Sequence, residues 1–407
     1  QAYITISGGY EVVSVGVLTF HWANHIGAVL QAYCMQGILS DLGFDVEFIN
    51  YIPKLESLVK TYSDVLKIPR KYSVIRGLLN LSMFSAFRTI VGELANSLYA
   101  YKMERLKNEE FEIFRKSHLK LTKPVTSLTE LKQAVEKYDY VVVGDDQVWN
   151  PIFLMYSDYA YILPFKTSSK KMALAASIGV DPSNIPNHIL NYFRLALRDF
   201  DFISVREKRH VSILSKLIGR DIYHIPDPVL LVRSEILSNL EQRVEFPFDE
   251  FIMVYNLDPT ILPVIDKISE DLGLPVVIYS KPYVFPLSQY LQYRRWGKYV
   301  SIYNVGPKGF IYLIKKASYV ITNSYHGVIL SIRFKKSFAV VLGGVASKAP
   351  SRIIDLLEEL GLLDRVVSNR SKLINTVKKD IDWNNVNLRV EEMSKNAYTL
   401  LREAFKR

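Results

Sequence analysis

Residues 319–342 read YVITNSYHGVILSIRFKKSFAVVL. Tyr319 to Thr322 is apolar and β-branched enough for a short strand, and Asn323 to Gly327 is a polar turn. A short helix follows, and Ser337 opens a second strand. A strand that ends in a polar turn and feeds a helix is the usual ligand position of an open α/β sheet. A helix beginning near Gly327 turns its unsatisfied N–H groups and positive dipole end toward that turn, which favours an anion. His326 stands there, with Arg333, Lys335 and Lys336 close behind. Asn323, Ser324 or His326 would each also serve as an N-cap. These residues therefore fit either a simple cap or a ligand contact.

The same pattern recurs along the chain. Val12 to Phe20 reads as a strand, followed by the polar loop His21 to Gly27. A helix over Ala28–Leu42 carries Leu30, Cys34, Ile38 and Leu42 at helical spacing and stops at Gly43. Phe44 to Ile49 is the next strand, closed by Pro53. A β-loop-α-β unit implies a parallel sheet with a right-handed crossover. The loop lacks the GxGxxG spacing of a dinucleotide site. Its Asn24, His25 and Gly27 stand where a ligand would meet the helix start, or where Asn24 would cap it.

Residues 55–120 are rich in Leu, Lys, Arg and Tyr and suggest two or three helices, the last over about Ala95–Ser117. Such an insertion packs on the sheet, or offers a basic amphipathic face to a membrane or a lipid-linked substrate. Strand Tyr138–Val143 leads into Gly144-Asp145-Asp146-Gln147-Val148-Trp149-Asn150-Pro151. Asp145, Asp146 and Gln147 suit sugar hydroxyls, and Trp149 would lay an apolar face on a sugar ring. A turn with an N-cap aspartate is the plainer reading. Met172 to Ile178 is a further strand, Pro186–Arg198 a helix, and Phe202 to Val205 a strand ending at Arg206-Glu207. Arg206 is either a salt-bridge partner of Glu207 or an anion clamp, since its planar fork matches carboxylate and phosphate.

Helix His210–Ile218, strand Tyr223–Ile225 and Pro226-Asp227-Pro228 close the first half. Residues 233–249 read as a linker, after which the pattern restarts: strand Phe251–Leu257, helix Thr260–Leu272, strand Pro275–Ser280, and a loop over Tyr290–Tyr299. Gly306-Pro307 opens a helix to Ala317. A loop over Gly343–Pro350 holds Lys348, and helix Ser351–Leu360 follows. The expected organisation is α/β: residues 1–232 with an insertion at about 55–120, residues 233–387, and a C-terminal helix over 388–407 packing back on the first half. A cleft lies between the halves.

The chain has 407 residues, enough for two domains, and is 49% hydrophobic. Its formal charge of +10 favours anionic partners, but no basic run is long enough for a nucleic-acid arm. Cys34 is the single cysteine, which excludes an internal disulfide and suits a reducing cytoplasm. No uncharged apolar run reaches membrane-spanning length. No signal peptide is visible, and Gln1 suggests a trimmed or altered start.

Four stretches together resemble the polysaccharide pyruvyl transferase family: FHWANHIGAVLQAY (20–33), VVVGDDQVWNP (141–151), ITNSYHGVILSI (321–332) and SRIIDLLEELGL (351–362). The resemblance implies two Rossmann-like domains facing a cleft, similar to glycosyltransferase type B. It implies phosphoenolpyruvate as donor substrate with no further cofactor or metal. The acceptor would be a sugar, often lipid- or nucleotide-linked, and the product a pyruvate ketal for a cell-surface glycan. The enzyme would be cytoplasmic, at the inner face of the membrane if the basic insertion touches lipid, and would bind no nucleic acid. By resemblance His326 is the late-motif histidine, for acid catalysis or donor phosphate binding, and Arg206 the arginine after the first-domain strand. Ser324 and Gly327 belong to the donor turn. Lys348 and Arg352 are both candidates for the basic residue after the late motif. Asp145, Asp146, Gln147 and Trp149 face the acceptor with Asn24 and His25, and Asp146 is also the catalytic carboxylate. Relatives more often show Gly-Ser-Asp-Gln where this chain has Gly-Asp-Asp-Gln. A nucleotide-sugar glycosyltransferase is the alternative on the same fold.

Overall fold

A computed structural model describes residues 12–53, 83–144, 146–255, 257, 261–280, 299–341, 351–367 and 372–406, with backbone alone at 83–99 and 351. Among the described residues the strands form two six-stranded parallel sheets. The first takes β1 (Ser14–Leu18), β2 (Asp45–Phe48), β3 (Tyr140–Gly144), β4 (Lys170–Ala176), β5 (Phe202–Val205) and β6 (Tyr223–His224) in the order β2-β1-β3-β4-β5-β6. The second takes β7 (Ile252–Tyr255), β8 (Val276–Tyr279), β9 (Tyr299–Ser301), β10 (Tyr319–Thr322), β11 (Ser337–Val341) and β12 (Val366–Val367) in the order β12-β11-β10-β7-β8-β9. Read from β9, that is the strand order of a Rossmann sheet. Strands such as β3 (YVVVG) are buried along their whole length, because helices cover both faces of a parallel sheet.

Two switch points matter. The first sheet reverses its order between β1 and β3, the second between β7 and β10. Ligands of open α/β sheets bind beyond the carboxyl ends of the strands at such points. α1 (Ile26–Asp41) leaves the first and α5 (Tyr325–Arg333) the second.

The halves share one apolar core, which runs from Val15, Val29 and Leu30 through Leu230 and Leu231 to Ile329 and Leu330. α1 lies inside it, against β2, α3 (Pro228–Leu231) and α4 (Pro307–Lys316), so it is buried over most of its circumference. α2 (Met83–His118) has 36 residues and starts twelve residues before Ala95, where the last helix of the insertion was expected to begin; the rest of that insertion, residues 54–82, lies outside the described part. It spans both halves. Lys107 Nζ donates to Tyr303 Oη at 2.9 Å on one side, and Arg115 Nη1 donates to Asn24 Oδ1 at 2.8 Å on the other. Over its C-terminal half the cations are interleaved with Glu104, Glu109, Glu110 and Glu112, and Arg105 pairs with Glu109, so no uniformly basic face forms.

α7 (Trp383–Ala404) starts earlier than Leu388 because Asp382 caps it, accepting from the Asn385 N–H at 3.1 Å. Tyr140 Oη at 2.9 Å from the Phe405 carbonyl, and the Phe405 ring on Phe44, seat its end on the first sheet. The segment read as a linker contains a short helix, Ser234–Ser238, and Tyr299 begins β9 while 281–298 are not described. No described helix is long and apolar enough to cross a membrane.

Edge strand β12 is held by a buried arginine. Arg365 Nη1 donates to the carbonyls of Thr376 and Lys379, both at 2.8 Å, and Nη2 to that of Asp380 at 2.9 Å. Arg365→Met should therefore lower the unfolding free energy by about 2–4 kcal/mol, since it strands carbonyls that a charged donor satisfied. Urea denaturation measures it, and an unchanged midpoint would show that the carbonyls find other partners.

Candidate functional site

The chemistry gathers at the two switch points. β1 ends in the loop that carries His25, the N-terminal flanking residue of α1, whose side chain caps nothing. The first-turn N–H groups of α1 therefore face the cleft without a side-chain cap. Asn24 is not the cap either. Its Nδ2 donates to Asn108 Oδ1 at 2.7 Å and its Oδ1 accepts from Arg115, which ties the loop to α2. β10 ends where Ser324 caps α5, its Oγ accepting from the Gly327 N–H at 3.4 Å. Of the three capping candidates, Ser324 does the work.

Two glycines let these helix starts meet. A Cβ on Gly27 would stand 2.0 Å from His326 Nδ1, so the imidazole lies directly against the first turn of α1. A Cβ on Gly327 would stand 2.8 Å from Thr322 Oγ1 and 3.0 Å from the Tyr255 ring. Any larger residue at either place would push the two halves or the two strand ends apart.

His326 is buried, and its Nε2 lies 3.3 Å from Asp227 Oδ2. The same carboxylate oxygen accepts from Arg206 Nη1 at 3.0 Å, and Oδ1 accepts from the Val229 N–H at 2.8 Å. Desolvation raises the Asp227 pKa, but the fields of His326 and Arg206 with these hydrogen bonds outweigh it and hold the carboxyl at about 2. Arg206 also faces Glu207, Nε to Oε1 at 3.6 Å, and Glu207 accepts from Ser177 Oγ at 2.5 Å. The ion pair with Glu207 foreseen in the sequence thus exists, but it is buried and is one of two.

On the opposite wall, Asp146 Oδ2 lies 4.0 Å from His25 Nδ1, and the His25 and His326 rings are 6.2 Å apart. Desolvation opposes the Asp146 charge; His25, His326, Arg206 and Arg352 outweigh it and lower the carboxyl below its ordinary value. Desolvation lowers the His25 imidazole below the usual histidine range against the pull of Asp146, and water reaching 53% of the side chain tempers that depression. Asp146 and Gln147 both have positive φ, 25° and 56°. Left-handed backbone at two successive non-glycine residues is strained and re-aims the loop after β3 toward the cleft.

Other sequence candidates divide. Gln147 Oε1 accepts from Asn150 Nδ2 at 3.0 Å, and Asn150 is the residue that caps the next helix. Trp149 does not present a face to a sugar. It is fully buried, its Nε1 donates to the Tyr161 carbonyl at 2.9 Å, and Phe193 and Phe200 pack against its ring. Arg352, at the start of α6 (Ser351–Leu360), reaches the cleft, and its Nε has no hydrogen-bond partner among the described residues. Asp145 and Lys348 lie outside the described residues. Arg333 donates to the Val232 carbonyl and stands away from the turn it follows in sequence.

Three site residues were not singled out from the sequence: Asp227, Tyr325 and Tyr255. Asp227 sits in Pro226-Asp227-Pro228, after β6, and it caps the following α3. Its other oxygen is free for Arg206 and His326 only because the fold brings them there. No described group of three or more His, Cys, Asp and Glu is placed to hold a metal ion.

Comparisons with known proteins agree on family and fold. The polysaccharide pyruvyl transferase family model matches residues 25–343. Among solved structures, the UDP-GlcNAc 2-epimerase of Methanocaldococcus jannaschii superposes with a TM-score of 0.56 at 14% identity, over 96% of this chain and 99% of that one. The Neisseria meningitidis epimerase bound to UDP-GlcNAc gives 0.51 at 12%, over 97% and 99%. A putative UDP-N-acetylglucosamine 2-epimerase from Listeria monocytogenes gives 0.51 at 12%, over 97% and 96%. At these identities the likeness is one of fold, the two facing Rossmann-like domains of the glycosyltransferase type B arrangement. A comparison with curated protein sequences finds no match.

The Asp227 carboxyl sets a pH signature. It ionises at about 2 when folded, against about 3.9 in an unfolded chain. Its stabilisation, on the order of 2 kcal/mol, is complete above about pH 4 and is lost as pH falls toward 2. Asp227→Asn should flatten this part of the acid limb and also destabilise at neutral pH, because Arg206 loses a buried partner. Urea titrations from pH 2 to 7 read both effects; an equally steep acid limb in the variant would assign it to other groups.

Proposed function

The chain belongs to the polysaccharide pyruvyl transferase family. On that premise we propose that it moves a pyruvyl group from phosphoenolpyruvate to a sugar of a glycan precursor, forming a pyruvate ketal and releasing phosphate. One observation carries the reading: Arg206 and Arg352 stand together beside His326, where two helices begin. Phosphoenolpyruvate presents a phosphate and a carboxylate close together, and two guanidinium forks with helix N-termini suit both.

In the proposed reaction His326, whose Nε2 lies 3.3 Å from Asp227 Oδ2, gives a proton to the donor's methylene carbon. The double-bond electrons take that proton, CH2 becomes CH3, and positive charge develops on the carbon that bears the phosphate oxygen. A sugar hydroxyl adds to that carbon, and its proton goes to Asp146 and on to restore His326. The carbon–oxygen bond to phosphate then breaks, with the electron pair leaving on phosphate. A second hydroxyl of the acceptor adds, and its proton leaves with phosphate. One hydroxyl proton thus ends on the methyl group and one on phosphate, so nothing is oxidised or reduced and phosphoenolpyruvate is a substrate, not a resident cofactor. His25, Asn24 and Gln147 border the acceptor side in this reading; the acceptor role proposed for Asp145 and the donor role proposed for Lys348 rest on the sequence alone. The reaction is cytoplasmic in this reading, and a lipid-linked acceptor would bring the enzyme to the inner face of the membrane, which co-sedimentation with anionic vesicles tests.

Incubation with phosphoenolpyruvate and sugar acceptors should release phosphate and yield an acid-labile ketal; consumption of a nucleotide sugar instead would replace this reading with a glycosyltransferase. His326→Ala should lower kcat by about 10²–10⁴-fold, and its thermal midpoint should fall as well, because the buried Asp227 carboxylate loses a partner. Arg352→Ala should raise the donor KM on the order of 10- to 100-fold, the loss of a charge-assisted fork. Arg352 is a cleaner probe than Arg206, whose removal also breaks a buried ion pair.

A further inference from the structure

We propose that Tyr325 is a positioning residue: its ring sets the spacing of Arg206 and Arg352, so that the two guanidiniums receive the donor's phosphate and carboxylate as a pair. The proposal rests on the donor reading above and deepens it.

The two arginines come from different halves. Arg206 follows β5 of the first sheet, and Arg352 begins α6 of the second. Both meet at one ring. Arg206 Cζ lies 4.5 Å from the Tyr325 centroid and Arg352 Cζ 5.5 Å. Two guanidiniums that close repel. Desolvation and then the Arg206 charge lower the Arg352 pKa, although an arginine remains a cation throughout. Asp227 and Glu207 answer part of the Arg206 charge, and Asp146 and Glu207 part of that on Arg352; the π face of Tyr325 is the partner the two arginines share at close range.

The kind of partner matters. A carboxylate between the two would neutralise them and occupy their N–H groups. An aromatic ring attracts the cation through its face and leaves the in-plane donors of the fork for a ligand. Arg206 has Nη1 on Asp227, while Arg352 Nε has no hydrogen-bond partner among the described residues. The ring itself cannot drift. Tyr325 is buried, it is the first residue of α5, and the Ser324 cap and the edge contact with the His326 ring fix it at that end. The spacing of the cations is therefore tied to the same helix turn that places His326.

Calorimetric titration of the full chain with phosphoenolpyruvate, with steady-state kinetics beside it, tests this. Tyr325→Phe keeps the ring and should bind within about twofold of wild type. Tyr325→Leu removes the face and should weaken donor binding and raise donor KM about tenfold or more, with kcat changed less than about threefold. Inorganic phosphate, which needs one fork rather than two, should lose less affinity than phosphoenolpyruvate. Thermal unfolding checks folding. If Tyr325→Leu lacks the wild-type transition, Tyr325→Met replaces it as an apolar side chain without a π face. Wild-type affinity in the Leu or Met variant would overturn the proposal, as would a Phe variant as weak as Leu, which would assign the effect to the hydroxyl. If wild type itself binds no phosphoenolpyruvate, the donor reading fails and takes this proposal with it.

Discussion

A carboxylate shared across the two halves constrains this molecule most. Asp227 is fully buried, and burying an isolated charge costs several kcal/mol. Here the charge has Arg206 from the first sheet, His326 from the second and the Val229 N–H as partners, which offsets that cost. Losing the Arg206 or the His326 side chain would leave that buried carboxylate under-compensated. Rotation of one half against the other must therefore preserve this contact or lose its compensation.

Backbone requirements follow from the same convergence. α1 can start beside His326 only with Gly27 in its first turn, and α5 can lie against Tyr255 only with Gly327. Tyr255 closes the end of β7, where burial raises its phenol to about 12 and a hydrogen bond with Ser324 opposes that rise. The phenol thus stays protonated beside the turn after β10. The floor of the cleft is built from neutral or compensated groups, and on the proposed reading the uncapped N–H groups of α1 and the forks of the arginines would supply its attraction for anions.

How much of this was legible in the sequence follows from the range of the interaction that decides each feature. β10 matches its expected span because Tyr319, Val320, Ile321 and the β-branched Thr322, between a helix end and Asn323, fix it locally. The start of α4 was readable from Gly306-Pro307. Strand order was not, because register between distant strands leaves no local mark. Trp149 was misread because an aromatic beside a polar loop fits a sugar platform or a core equally well until Phe193 and Phe200 are seen against it. Arg206 showed its adjacent partner Glu207 but hid Asp227, 21 residues away. The start of α2 was hidden because Gly92, Asn96 and Ser97, residue types that favour helix ends, lie inside the helix.

The compensation around Arg206 also bears on how an anion would bind. Its charge already faces Asp227 and Glu207, and Asp146 lowers the potential on the opposite wall. An arriving phosphate and carboxylate would therefore add negative charge to a site whose cations are partly answered. On the proposed reading the donor would lean on Arg352, whose Nε has no hydrogen-bond partner among the described residues, and on the uncapped first turn of α1. That division needs no movement of the backbone, only two halves held rigidly enough that Asp227 keeps both its partners.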